Sequence, residues 1–326
     1  MLVPSPIDPK TASPYTGEEH RAILFYSKEA RMSFASPAAA AAWLTETANA
    51  FIGSPDNDMH LPGTREPAFD PPLTALAAGD DLIWEDFKRH VGSYHWTPLE
   101  AFSLGYPEET VTASELAVMS WILPQTEATL RDHRKEKALP AERWARSRIF
   151  GEEHVNNGLR RHMLASLHAK GIQAVAPFIL KEWQGMPSEE YVFSSTWSER
   201  HAAYAAGLGT FGLCDGLITP MGKAMRAGSV VVRLAVPVAG RPYTDHREYC
   251  LFFNSGTCGV CMKRCPVGAL SPEGHDKRVC KAYLNGVTAD YVKNTWHFDG
   301  YGCGLCQVAV PCERRIPPRP KKRREM

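Results

Sequence analysis

Apolar residues along this 326-residue chain change period several times, and each change predicts an element. Between Glu115 and Pro124 the run Leu-Ala-Val-Met-Ser-Trp-Ile-Leu is nearly unbroken, as expected of a strand buried on both faces. From Trp144 to Lys170, Val155, Leu159, Met163 and Leu167 recur at every fourth position, which predicts one buried helical face with Gly171 as the stop. Ile172–Ala176 reads as a strand, and the β-branched run Ser229–Val236 as another. Ser36-Pro37 opens an Ala-rich helix to about Ile52, with Ser as N-cap and Pro at the first helical position. Thr196-Trp-Ser-Glu199 has capping-box spacing and starts a short helix that ends at Gly207.

Between these elements the polar segments set the organisation. Residues 53–72, rich in Gly, Asp, Asn and Pro, form a long loop, and about the first 20 residues form an extended arm. Helices and strands alternate as far as about residue 245, which argues for an α/β domain. Short Cys- and Gly-rich segments follow. The boundary falls near Thr244 and divides the chain into 1–244, a small module at 245–316, and a tail at 317–326. The tail carries Lys321-Lys322-Arg323-Arg324, which reads as a solvated end rather than a nucleic-acid patch.

Composition narrows the classes. A net charge of +1 supplies no field for nucleic acid or an anionic membrane. No apolar run of about 18 residues exists, so no membrane span is expected. The start lacks the regions of a signal peptide, which points to the cytoplasm. Thiols stay reduced there, and clustered cysteines usually mean metal.

Eight of the nine cysteines lie between Cys250 and Cys312. The first group is Cys250, then Cys258-Gly-Val-Cys261-Met-Lys-Arg-Cys265-Pro266. The second is Cys280, then Cys303-Gly-Leu-Cys306 and Pro311-Cys312. Eight thiolates hold two four-iron clusters, and Cys-x3-Cys-Pro ends the bacterial ferredoxin run. In two-cluster ferredoxins the Cys before Pro serves the other cluster. Transferring that logic assigns Cys250, Cys258, Cys261 and Cys312 to one cluster, and Cys265, Cys280, Cys303 and Cys306 to the other. The spacing departs from the standard run at Ser255, where Cys250 substitutes, and between Cys306 and Cys312. Two structural zinc sites are the alternative. Cys214 stands apart and reads as a small buried hydrophobe, with a redox role as the other reading.

The segment Ser198-Glu199-Arg200-His201-Ala-Ala-Tyr204-Ala-Ala-Gly207-Leu208-Gly209, followed by Leu217-Ile-Thr-Pro220 and Gly228-Ser229-Val-Val, resembles the Ala-Gly-Leu-Gly segment of the epoxyqueuosine reductase and reductive dehalogenase superfamily. Trp144-Ala-Arg146-Ser-Arg148 resembles that family's Tyr-Ala-Arg-Gly-Arg segment. The resemblance implies a nitroreductase-like α/β domain followed by a ferredoxin-like module with two [4Fe-4S] clusters. It further implies a base-off cobalamin, held near Gly207, Leu208 and Gly209, and a substrate that loses an oxygen or a halogen. The resemblance implies a catalytic Asp about fourteen residues before Gly207, and an ungapped count lands on Phe193. Tyr191, Glu199, His201 and Tyr204 are the nearest replacements, and Glu199, His201 and Tyr204 are the candidate catalytic residues.

The leading expectation is therefore a corrinoid- and iron–sulfur-dependent reductase. It would be fed by an external low-potential donor, a ferredoxin or flavodoxin, and would act on a small-molecule or modified-base substrate. The alternative is a ferredoxin-like electron carrier without corrinoid catalysis. A redox sensor that reads cluster integrity is a third reading.

Overall fold

The computed structural model describes residues 34–189 and 191–318, so the expected N-terminal arm and most of the basic tail lie outside the described residues. Helix α1 (Pro37–Ile52) starts as the sequence predicts, with Ser36 Oγ accepting from the Ala39 N–H at 3.1 Å. After the loop come β1 (Leu73–Ala78), α2 (Ile83–Val91), α3 (Pro98–Gly105) and β2 (Ala117–Pro124). Helices α4 (Glu127–Arg134) and α5 (Glu142–Phe150) follow, and a π-helical turn at Gly151–Asn156 joins α5 to α6 (Asn157–His168). Gly171, at φ +70°, then closes the helix with a bond to His168 O.

The chain continues through β3 (Ala174–Val175) and the hairpin β4 (Gly185–Ser188) and β5 (Val192–Ser195). Next come α7 (Glu199–Ala205), β6 (Thr210–Phe211), β7 (Leu217–Ile218) and β8 (Met225–Val232). The Cys-rich part is built from short pieces: α8 (Leu251–Ser255), α9 (Val260–Arg264), the hairpin β9 (Leu270–Ser271) and β10 (Gly274–His275), α10 (Lys277–Tyr283) and α11 (Ala289–Trp296).

The main sheet has the order β1-β2-β8-β3 and pairs antiparallel throughout. The helix–strand alternation is present, but it is not made of parallel crossover units. Strand β2 is buried at every position, because both faces of the sheet are covered. Met119, Trp121 and Leu123 face Leu44, Leu159, Met163 and Leu167 of α1 and α6. Val118 and Ile122, on the other face, meet Trp84, Phe102 and Ala202 of α2, α3 and α7. The four apolar positions spaced along α6 and the preceding turn are all fully buried.

Two local expectations shift. Strand β8 ends at Val232 rather than Val236, because its partner residue there, Ala117, is the first of β2. Beyond it, Arg233 turns to Glu109 and Glu115. The capping box at Thr196 does not form: Ser198 occupies the N-cap position, and Thr196 Oγ1 accepts from Gln184 N at 3.2 Å. Glu199 is drawn inward instead.

Its partner is Arg160 on α6, whose side chain has no exposed surface. Arg160 Nη2 lies 2.9 Å from Glu199 Oε1, and its Nη1 lies 3.0 Å from Glu152 Oε1. Ser229 Oγ donates to Glu199 Oε2 at 2.5 Å, and Trp121 Nε1 donates to Asn156 Oδ1 at 2.9 Å. The π turn belongs to this network, since it supplies Glu152 and Asn156 together. One guanidinium thus joins α6, α7 and β8.

Arg160→Met should cost about 3–5 kcal/mol in urea unfolding, because it leaves Glu152 and Glu199 buried without their cation. Adding Glu199→Gln to that variant should recover part of the loss. A single-variant cost below about 1 kcal/mol would show that the network does not hold the layers together.

Candidate metal centre

All nine cysteines are free thiols, and Cys214, Cys250, Cys261 and Cys312 are buried. Cys250 sits at the start of α8, Cys261 within α9, Cys265 at its end and Cys280 within α10. Cys250, Cys258, Cys261 and Cys312 line one cleft, together with Ile218 and Lys223. Cys303 lies within electrostatic reach of Cys280 and Cys265, and Cys306 within reach of Cys303. Ser255, the alternative to Cys250, has its hydroxyl engaged with Leu251 O at 2.9 Å and Thr257 Oγ1 at 2.8 Å. Among the described residues, no group of three or more His, Cys, Asp or Glu side chains converges as for a single metal ion.

Burial pushes the Cys261 and Cys303 thiols up to about 11, and it raises Cys312 as well. As bare thiols they hold their protons, so metal binding here must release them.

The surrounding chain is stitched to the preceding elements. Lys223 N donates to Cys312 O at 2.9 Å, and Ala224 N to Glu313 O at 3.2 Å. Gly222, at φ +83°, brings the backbone so close to Glu313 that a Cβ would stand 2.1 Å from its carbonyl oxygen. Glu313 in turn pairs with Arg134 of α4. Asp215 reaches His275 at 3.0 Å and Lys277 at 3.7 Å, which fixes the start of the helix carrying Cys280. Burial opposes the charge on His275, but Asp215 and Cys280 outweigh it and hold His275 up at about 9.

Two residues of this centre escape sequence reasoning. Lys223 is 3% exposed, and its Nζ lies 3.2 Å from Cys214 Sγ. Cys214 is therefore not simply a small hydrophobe. The Cys306 side chain and then Lys223 hold its thiol well below the ordinary value, and Cys306 rises in consequence. No motif marks Lys223. Cys214 stands out in the sequence only as the ninth cysteine.

The candidate catalytic residues lie elsewhere. Glu199 is committed to Arg160 and Ser229, and burial raises its carboxyl above the ordinary value despite them. His201 and Tyr204 do share a face of α7, and both pack on Phe87 and Phe211. His201 Nδ1 is 2.8 Å from Ser198 Oγ, and burial keeps its imidazole well below the ordinary value. The Tyr204 ring stacks on Tyr243, whose hydroxyl donates to Tyr204 O at 2.6 Å. Tyr191 and Phe193 lie under Lys277, with the ammonium 5.2 and 5.6 Å from the ring centres.

Gly207, Leu208 and Gly209 each have a packing role in the fold. Gly207 has φ +83° and ends α7 with a bond to Tyr204 O. Leu208 is buried in the core beneath the sheet. Gly209 packs on β7 so tightly that a Cβ would stand 2.2 Å from Ile218 O.

His95 and His201 are both held neutral by burial. The unfolded chain protonates each near pH 6.5 and the folded chain does not, so their stabilisation is complete above that pH and is lost as pH falls below it. The unfolding free energy from urea titration should therefore fall as pH drops from 7.5 to 5.5, with a slope approaching at most about 1.4 kcal/mol per pH unit and group below pH 6.5. His201→Gln should flatten the slope, and an unchanged slope would remove His201 from the account.

No protein-family model matches the chain. Among curated proteins, an epoxyqueuosine reductase of Listeria monocytogenes is 29% identical over 143 residues, covering 42% of this chain and 35% of its own length. One of Leadbetterella byssophila is 29% identical over 140 residues, covering 41% of this chain and 43% of its own. The chain thus spans well under half the length of these relatives. A solved reductive dehalogenase structure aligns at a TM-score of 0.49, with 12% identity, covering 92% of this chain and 36% of that one. An epoxyqueuosine reductase solved with a tRNA stem loop aligns at 0.43, with 15% identity, covering 84% and 65%. Scores at this level say nothing of function. Over about two fifths of its length, the chain is a sequence relative of the epoxyqueuosine reductases.

Proposed function

We propose that this chain is an iron–sulfur oxidoreductase of the epoxyqueuosine reductase type. In this reading Cys250, Cys258, Cys261 and Cys312 hold one four-iron cluster, and Cys265, Cys280, Cys303 and Cys306 hold the second. Bound clusters supply one-electron relay. Electrons come from an external low-potential donor of the ferredoxin or flavodoxin class. They leave to a small-molecule or modified-base substrate, and removal of an oxygen as water consumes two electrons and two protons. The reducing cytoplasm is the compartment that suits such thiols; among the described residues no helix is long and apolar enough to cross a membrane.

One observation carries the reading: Cys250, Cys258 and Cys261 line a single cleft with Cys312, which lies about fifty residues further along, in a chain similar to these reductases. The chain's own residues shape that centre. Gly222 lets the backbone reach Glu313, and Asp215 anchors the helix of Cys280. The resemblance implies a corrinoid as terminal carrier, but Gly207, Leu208 and Gly209 are occupied by packing, so no step is assigned to it.

The second reading is an electron carrier without corrinoid chemistry. Phe193, where an ungapped count places the family's acid and where Lys277 lies over the ring, favours it.

Anaerobic reconstitution of the full chain should load about eight irons. Cys250→Ser should leave about half of them. Loading of less than one cluster in the wild type, or a zinc stoichiometry of two without iron, would defeat the proposal. Titration with cob(II)alamin followed by EPR then separates the two readings: a base-off cobalt signal supports the corrinoid reductase, and no uptake supports the carrier.

A further inference from the structure

Lys223 is buried beside cysteines of both sets. It lines the cleft of Cys250, Cys258, Cys261 and Cys312. Its backbone N–H is tied to Cys312 O, and its Nζ is anchored on Cys214 Sγ at 3.2 Å. Cys214 lies against Cys306, a member of the second set. The ionisable groups nearest this ammonium are the thiols of Cys214, Cys312, Cys306 and Cys261. A buried ammonium without a carboxylate is costly unless its surroundings are anionic. Thiolates that ligate iron meet that requirement from both sides.

We propose that Lys223 sets the reduction potentials of both clusters. It touches no substrate and acts through the clusters, so it is a positioning residue. Each cluster gains one negative charge when it accepts an electron from a low-potential donor, and a fixed cation between them stabilises the reduced form of each. Net charge and solvent exposure are among the factors that set such potentials. Cys214 serves as the anchor that keeps the ammonium between the two sets, which gives the ninth cysteine a role that requires no iron. The inference rests on the iron–sulfur reading above.

The test uses the full chain, reconstituted anaerobically and titrated with dithionite and mediators under EPR. Lys223→Met should load as much iron and sulfide as the wild type. Its clusters should be at least tenfold harder to reduce, about 59 mV lower for a one-electron couple. Lys223→Arg should restore the wild-type potentials. Lys223→Gln, which keeps a donor for Cys214 without the charge, should reproduce the fall if the Met variant folds poorly. Full loading with unchanged potentials would overturn the inference and leave the clusters standing. Failure of both neutral variants to load iron, when the wild type does, would make Lys223 a purely structural residue. Absence of iron in the wild type would defeat the parent reading, and this one with it.

Discussion

The guanidinium of Arg160 is the constraint on which the placement of everything downstream depends. It sits with no exposed surface between Glu152 and Glu199, so it can be accommodated only if α6, the π turn and α7 all hold their positions. Strand β8 completes the set through Ser229 and Ala227 O. Once α7 is pinned, its C-terminal turn must run directly into β6 and β7. Gly209 makes that possible by letting the backbone press on Ile218 O. The turn between β6 and β7 carries Cys214, and the turn from β7 to β8 carries Lys223, to the cysteine centre.

Charge organises that centre more than apolar packing does. Burial raises the Cys261, Cys303 and Cys312 thiols, so the metal-free centre resists ionisation. A metal that takes them as thiolates must expel protons, and metal affinity becomes linked to pH. Among the described residues the one buried ammonium, Lys223, faces this group of thiols, and it is best accommodated when they are anionic. The same burial that opposes ionisation of the bare thiols magnifies the effect of a nearby cation once they are ionised.

The aromatic face of α7 shows how one short helix serves two environments. His201 and Tyr204 point into a cluster of Phe87, Phe211 and Tyr243, where burial keeps the imidazole neutral and the phenol protonated. Glu199 points the other way, into the Arg160 network. The resemblance singles out all three for chemistry, and their geometry also accounts for them as packing and ion pairing. Phe193 lies beneath Lys277 and Lys281 of the Cys280 helix.

By itself, the sequence determined the features that near neighbours decide. Ser36 caps α1 because its hydroxyl reaches an N–H three residues on. The face of Val155, Leu159, Met163 and Leu167 is buried because helical geometry aligns every fourth side chain. The cysteine count and spacing, and the Ala-Gly-Leu-Gly segment, were equally legible without a fold. Only the tertiary structure decided what depends on partners far along the chain. The antiparallel pairing of β2 with β8 leaves no mark in either strand's own pattern. The carboxyl of Glu199 has capping-box spacing, yet Arg160 outcompetes the cap because a buried guanidinium is costly to leave unpaired. Gly209 resembles part of a cofactor loop, but the close approach of Ile218 is what requires it. Lys223 belongs to no motif at all. Its place among the thiols arises because the backbone at Gly222 runs against Glu313, a contact spanning the whole Cys-rich segment.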